Sequence, residues 1–138
     1  MASNRSVAAT LSRVSIFRTL SDQERLSLAR QMAVATFGAN QMIFGRGDPG
    51  NELYLVLKGH VRLSVFSADG RMFSLQLAEP GDIFGEIAVL DGGSRSADAT
   101  ALSQVEVAIL PRARLNVLLA ENAQLSRSCI KFLCGRFR

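Results

Sequence analysis

The residues best suited to chemistry lie in one stretch, Phe84-Gly85-Glu86-Ile87-Ala88-Val89-Leu90-Asp91-Gly92-Gly93-Ser94-Arg95-Ser96-Ala97. Glu86 to Leu90 suit a single helical turn, and Gly92-Gly93 stop it. A helix start presents N–H groups that have no partner within the helix, and its dipole favours an anion there. Arg95 and Ser96 follow at once. A guanidinium fork, a hydroxyl and free amides converging on one point would hold a phosphate. Glu86, at the mouth of the turn, would suit a sugar hydroxyl. A carboxylate buried beside an arginine is costly, so the two either pair with each other or enclose a ligand. The plain alternative is a structural ion pair with no ligand at all. The stretch is not a P-loop, because no Gly-Lys-Ser/Thr follows.

The remaining reactive side chains are few. His60 is the only histidine and stands beside Gly59 at a strand start, which suits a surface polar role better than a metal. Cys129 and Cys134 are the only cysteines; five residues apart on a helix, they face different sides and read as small packing residues. A four-ligand zinc or iron–sulfur site therefore cannot be assembled, and catalysis by a Ser-His-Asp set or a His-rich metal centre is disfavoured. Arg46-Gly47-Asp48 reads as a turn rather than an adhesion tripeptide.

Length and charge narrow the class further. The chain has 138 residues, 48% of them hydrophobic, which suits one packed domain and not a disordered chain. No apolar run approaches the ~20 residues of a membrane helix, and Met1 to Thr10 carry no signal-peptide core. With two cysteines near one end there is no disulfide framework, so a reducing, cytoplasmic setting is expected. The net charge is +4, but Met1 to Glu121 hold 12 basic and 12 acidic residues. The excess is Arg127, Lys131, Arg136 and Arg138, a basic tail and not a nucleic-acid-binding face on the body of the domain.

The elements that must position the site are legible from periodicity. Ser21-Asp22-Gln23-Glu24 is a capping box that opens a helix running to about Ala33, with Leu26, Ala29, Met32 and Ala33 on one stripe. From Val34 to Leu110 the period becomes two. Apolar runs at Ala35–Phe37, Gln41–Phe44, Glu52–Leu57, Val61–Phe66, Met72–Leu77, Ile83–Phe84, Ala97–Leu102 and Val105–Leu110 are divided by Gly/Asn/Asp/Pro clusters. Short strands at this spacing predict a mainly β fold, an eight-stranded jelly roll with flanking helices. Val61, Leu63 and Val65 share one face and Phe73, Leu75 and Leu77 another, and the two faces are expected to line one interior. Pro111 is placed to start a helix carrying Leu115, Leu118 and Leu119. Asn122 caps a last helix whose stripe of Leu125, Cys129, Ile130, Phe132, Leu133 and Phe137 is wide enough for burial on the barrel or a second copy of itself. The expected organisation is an N-terminal arm or short helix over 1–20, a jelly roll over 21–120 and the start of a C-terminal helix over 121–138.

These residues resemble the cyclic-nucleotide-binding domain, with its phosphate-binding cassette at Gly85 to Ala101. The resemblance rests on an ordered set: Phe44-Gly45-Arg46-Gly47-Asp48, then Leu53-Tyr54-Leu55-Val56-Leu57-Lys58-Gly59-His60-Val61, then Pro80-Gly81-Asp82-Ile83-Phe84-Gly85-Glu86, and the downstream Arg95-Ser96-Ala97. It covers the chain from about Phe17 onward. It implies that Glu86 accepts from the ribose 2′-OH, that Gly85, Ile87 and Ala88 offer backbone groups, that Arg95 and Ser96 bind the cyclic phosphate, and that Leu63 and Leu75 pack on the base. Two residues depart from the pattern. Asp98 stands where a hydroxyl or apolar residue is usual and, turned inward, would compete for Arg95. Ala99 replaces a bulkier β-branched residue.

Among branches of that family, Leu125 to Arg138 resembles the start of the dimerisation helix of Crp/Fnr-type bacterial transcription regulators. The resemblance implies a non-enzymatic sensor that forms a homodimer through its C-terminal helix. DNA would be read only by a helix-turn-helix module of on the order of 70 further residues, absent from this chain. No cofactor is implied; the ligand is a cyclic nucleotide, cyclic AMP ahead of cyclic GMP, although the family residues that cap the base lie beyond Arg138. The competing readings are a regulatory module of a channel or kinase, and a degenerate dimerisation or interaction scaffold.

Overall fold

A computed structural model describes residues 2–135. Three helical pieces precede the strands: α1 (Asn4–Leu11), a 3-10 turn (Ser15–Phe17) and α2 (Asp22–Arg30). Ser21 caps α2 with the reciprocal pair expected of a capping box, Ser21 Oγ accepting from Glu24 N–H at 3.1 Å and Glu24 Oε1 accepting from Ser21 N–H at 2.8 Å. The helix stops at Arg30, earlier than its apolar stripe suggests, because Ala33 already pairs with Ile109 in a sheet.

Among the described residues eight strands follow: β1 (Ala33–Phe37), β2 (Met42–Phe44), β3 (Glu52–Lys58), β4 (Val61–Phe66), β5 (Met72–Ala78), β6 (Ile83–Phe84), β7 (Asp98–Ala101) and β8 (Val105–Pro111). The single turn of α3 (Glu86–Asp91) interrupts them after β6. They form two four-stranded antiparallel sheets, ordered β1-β8-β3-β6 and β2-β7-β4-β5. Each of the eight apolar runs becomes a strand.

Strand β3 explains why one run lacks alternation. Tyr54 and Val56 face the space between the sheets, with Phe44, Val61, Leu63, Phe84, Ala99, Val105 and Val107. Leu53 and Leu55 face the other way, into a second cluster with Val7, Leu11, Phe17, Leu28, Leu115 and Leu125. A strand covered on both faces has no polar side to show. The outer cover is helical: α4 (Arg112–Glu121) starts after Pro111, and α5 (Ala123–Gly135) is capped by Asn122, whose Oδ1 accepts from Leu125 N–H at 3.0 Å.

One expectation about the interior is overturned. Phe73, Leu75 and Leu77 are 51%, 60% and 53% exposed. Register is the reason. Leu77 lies opposite Arg62, Gln76 opposite Leu63 and Ala78 opposite Val61, so the inward positions near the site are Gln76 and Ala78. A bulge between Leu63 and Ser64 then resets the alternation, which buries Ser64 and leaves Val65 only half-buried. Strand β5 is a sheet edge, and nothing among the described residues covers its outer face.

The C-terminal stripe divides. Leu125 and Cys129 are buried and Phe132 packs on the helical cluster, whereas Ile130 is 61% exposed. Cys134, on another side from Cys129, is exposed. Arg136, Phe137 and Arg138 lie outside the described residues.

Candidate functional site

The phosphate-type stretch folds into a wall of a cavity of about 120 Å³. Gly85 enters α3 with φ +81° and Gly92 leaves it with φ +75°, left-handed values that only glycine adopts without strain. Gly85 has a second requirement: a Cβ there would lie 2.6 Å from Arg95 Nη1. All eight predicted site residues line this one cavity: Leu63, Leu75, Gly85, Glu86, Ile87, Ala88, Arg95 and Ser96. Leu75 is exposed, at the rim, while Leu63 and Glu86 are buried.

Arg95 is held from both ends. Its backbone N–H donates to the Asp48 carbonyl at 2.8 Å and its own carbonyl accepts from Gly47 N–H at 2.9 Å. Arg95 is 4% exposed; Nη1 donates to the Gly85 carbonyl at 2.9 Å and Nη2 to the Glu52 carbonyl at 2.8 Å. Its carbon lies 4.2 Å from the Phe44 ring centre and 5.6 Å from that of Tyr54, both in cation–π range. Burial pulls the Arg95 pKa below its ordinary value, against the Tyr54 and Glu52 contributions, which raise it. Buried Nε has no partner among the described residues. A guanidinium offers five N–H groups, so the two carbonyl bonds leave donors to spare.

Asp98 does not compete for this charge. Its Oδ1 accepts from Arg46 N–H at 2.7 Å, so the carboxylate closes the 45–48 turn that grips the Arg95 backbone. Ala99 is fully buried, paired with Phe44 on one side and Leu63 on the other.

Residues 34–122 match the cyclic nucleotide-binding domain family. This chain belongs to that family. The domain is 29% identical over 128 residues to the CRP-like cAMP-activated global transcriptional regulator of Mycobacterium tuberculosis, which covers 93% of this chain and 57% of that protein. It is 32% identical over 120 residues to the cAMP-dependent protein kinase regulatory subunit of Dictyostelium discoideum, covering 85% of this chain and 37% of that one. The catabolite activator protein of Thermus thermophilus superposes with a TM-score of 0.83 at 31% identity, over 90% of this chain and 58% of that structure. The cyclic nucleotide-binding domain thus spans little more than half the length of its bacterial relatives, and its likeness is to the sensor part of Crp/Fnr-type regulators. The family is one of cyclic nucleotide-binding regulatory domains.

Four further cavity-lining residues of the cyclic nucleotide-binding domain were given no site role by the sequence reading. Phe44, Gln76, Phe84 and Ala97 also line the cavity. Tyr54 and Phe84 stack with ring centres 4.9 Å apart, and Phe44 lies 5.7 and 5.9 Å from them. Burial, and then the nearby Glu52 carboxylate, push the Tyr54 pKa up. The available signal was an aromatic directly before a turn glycine, at Phe44-Gly45 and again at Phe84-Gly85. The Glu52 carbonyl left no signal, because backbone acceptors have no residue type.

Proposed function

We propose that this domain senses cyclic AMP, ahead of cyclic GMP, as the regulatory half of a Crp/Fnr-type transcription regulator. The observation that carries the reading is Arg95: a buried cation that lines the cavity beside Glu86 and the first turn of α3, is pre-aimed by two carbonyls, and has an Nε without a partner among the described residues. Charge buried this deeply is costly, and a phosphate is the anion whose geometry matches the remaining donors. In this reading Arg95 and Ser96 bind the cyclic phosphate, and the N–H groups of Ile87 and Ala88 approach it from the first turn of α3. Glu86 accepts from the ribose 2′-OH beside the backbone of Gly85. Leu63, buried, and Leu75, at the rim, pack against the base. The names of the mycobacterial and Dictyostelium relatives favour cyclic AMP.

Binding repositions the C-terminal helix to the extent that ligand affinity differs between two helix positions. A homodimer through that helix, with the exposed Ile130 on it, and DNA reading by a separate helix-turn-helix domain complete the proposal. A cytoplasmic setting, the one a DNA-reading regulator of this type works in, belongs to the same proposal.

Titration calorimetry with cyclic AMP, cyclic GMP and 2′-deoxy cyclic AMP tests it. Cyclic AMP is expected to bind more tightly than cyclic GMP, and the deoxy ligand to bind on the order of tenfold more weakly for want of one charge-assisted hydrogen bond. No heat with any of them at millimolar concentration favours an interaction scaffold instead. Equal affinity for the deoxy ligand removes the role of Glu86.

A further inference from the structure

The backbone from Gly50 to Glu52 is shared between the ligand cavity and the start of α4. The Glu52 carbonyl anchors Arg95 Nη2. The neighbouring Asn51 carbonyl accepts from the Arg112 backbone N–H at 2.8 Å, and the Gly50 carbonyl accepts from Arg112 Nη2 at 2.8 Å. Glu52 pairs directly with Pro111 in the sheet. Gly50 also supports α3 from beneath, so closely that a Cβ there would lie 2.1 Å from Ala88 Cβ.

Arg112 is a poor choice for its position on local grounds. It is the first residue of α4, where the helix dipole disfavours a cation. Its buried Nε has no partner among the described residues. Burial already depresses the Arg95 pKa, and the Arg112 charge depresses it further. A residue that repels the ligand-binding arginine and opposes its own helix dipole is tied in through its hold on Gly50 and Asn51.

We infer that Arg112 is a positioning residue that couples the ligand cavity to the C-terminal helices, by fastening the first turn of α4 to the Gly50–Glu52 strip that anchors Arg95 and underlies α3. This rests on the ligand reading given above. A displacement of α4 is transmitted to three successive carbonyls, one of which aims the guanidinium. Conversely, an anion that draws Arg95 into the cavity loads the same strip.

The test combines calorimetry with amide hydrogen exchange in the wild-type chain, Arg112→Ala and Arg112→Lys, each with and without cyclic AMP. In wild type, ligand is expected to change exchange both at 85–96 and at 123–135. Arg112→Ala is expected to keep the change at 85–96, lose most of it at 123–135, and shift affinity on the order of tenfold. Arg112→Lys retains the charge but not the planar fork and falls between them, which keeps the test informative should the alanine variant unfold. A merely structural role would alter exchange equally with and without ligand. The inference is overturned if cyclic AMP binds wild type without changing 123–135, or if the arginine variants keep the full ligand response there. Failure of cyclic AMP to bind wild type at all rejects the ligand reading instead.

Discussion

Arg95 shows how one side chain can be both fastened and available. Its fork spends two donors on carbonyls and leaves Nε without a partner among the described residues, while Phe44 stacks on its face. Charged hydrogen bonds contribute about 1.5–3 kcal/mol each. Arg95→Ala is therefore expected to weaken cyclic AMP binding by about 2 kcal/mol, roughly 30-fold, in a calorimetric titration. Arg95→Lys, which restores the charge without the fork, should recover only part of the loss. An affinity unchanged by either substitution would place the phosphate elsewhere.

At the scale of elements, the site is a short helix set on a glycine. Ala88 of α3 rests on Gly50, and no side chain fits between them. Gly50→Ala is expected to lower the melting temperature and weaken ligand binding, because overpacking costs about 1–3 kcal/mol and pushes α3 out of place. Ala88→Gly removes the atom that the new Cβ strikes. The double variant should regain part of both losses, and a double variant no better than Gly50→Ala would show that α3 does not depend on this contact. The β4–β5 pair illustrates the opposite case, where cross-strand register, with a bulge at Leu63/Ser64, leaves Phe73, Leu75 and Leu77 facing outward.

For the whole molecule, two clusters share strand β3 as their common wall. The inter-sheet cluster contains Phe44, Leu63 and Phe84 of the cavity, and the helical cluster joins α1, α2 and α5 to the same strand. Ligand that binds only the folded state adds RT ln(1 + [L]/Kd) to stability, about 2.7 kcal/mol at a hundredfold excess over Kd. Thermal denaturation with saturating cyclic AMP should therefore shift upward by several degrees for a domain of this size, in one transition, since the cavity and both clusters are joined through β3. A shift confined to one of two separate transitions would show that the helical cover unfolds independently.

Residue type and spacing alone determined much of this protein. Breaks at Gly, Asn, Asp and Pro set the strand boundaries, because turn conformations demand those residues locally. The capping box at Ser21 and Glu24 and the left-handed glycines around α3 are likewise short-range effects. The clustering of Glu86, Arg95 and Ser96 was legible because only the turn of α3 and the short loop after it separate them. Tertiary structure alone decided what depends on partners distant in the chain. Cross-strand register sent Leu77 to the outside beside Arg62 and Gln76 to the inside beside Leu63. The direction of Asp98 followed from the Arg46 amide, 52 residues away. The anchors of Arg95 and Arg112 are backbone carbonyls, chemically alike in every residue, so only the folded chain selects which of them a guanidinium will meet.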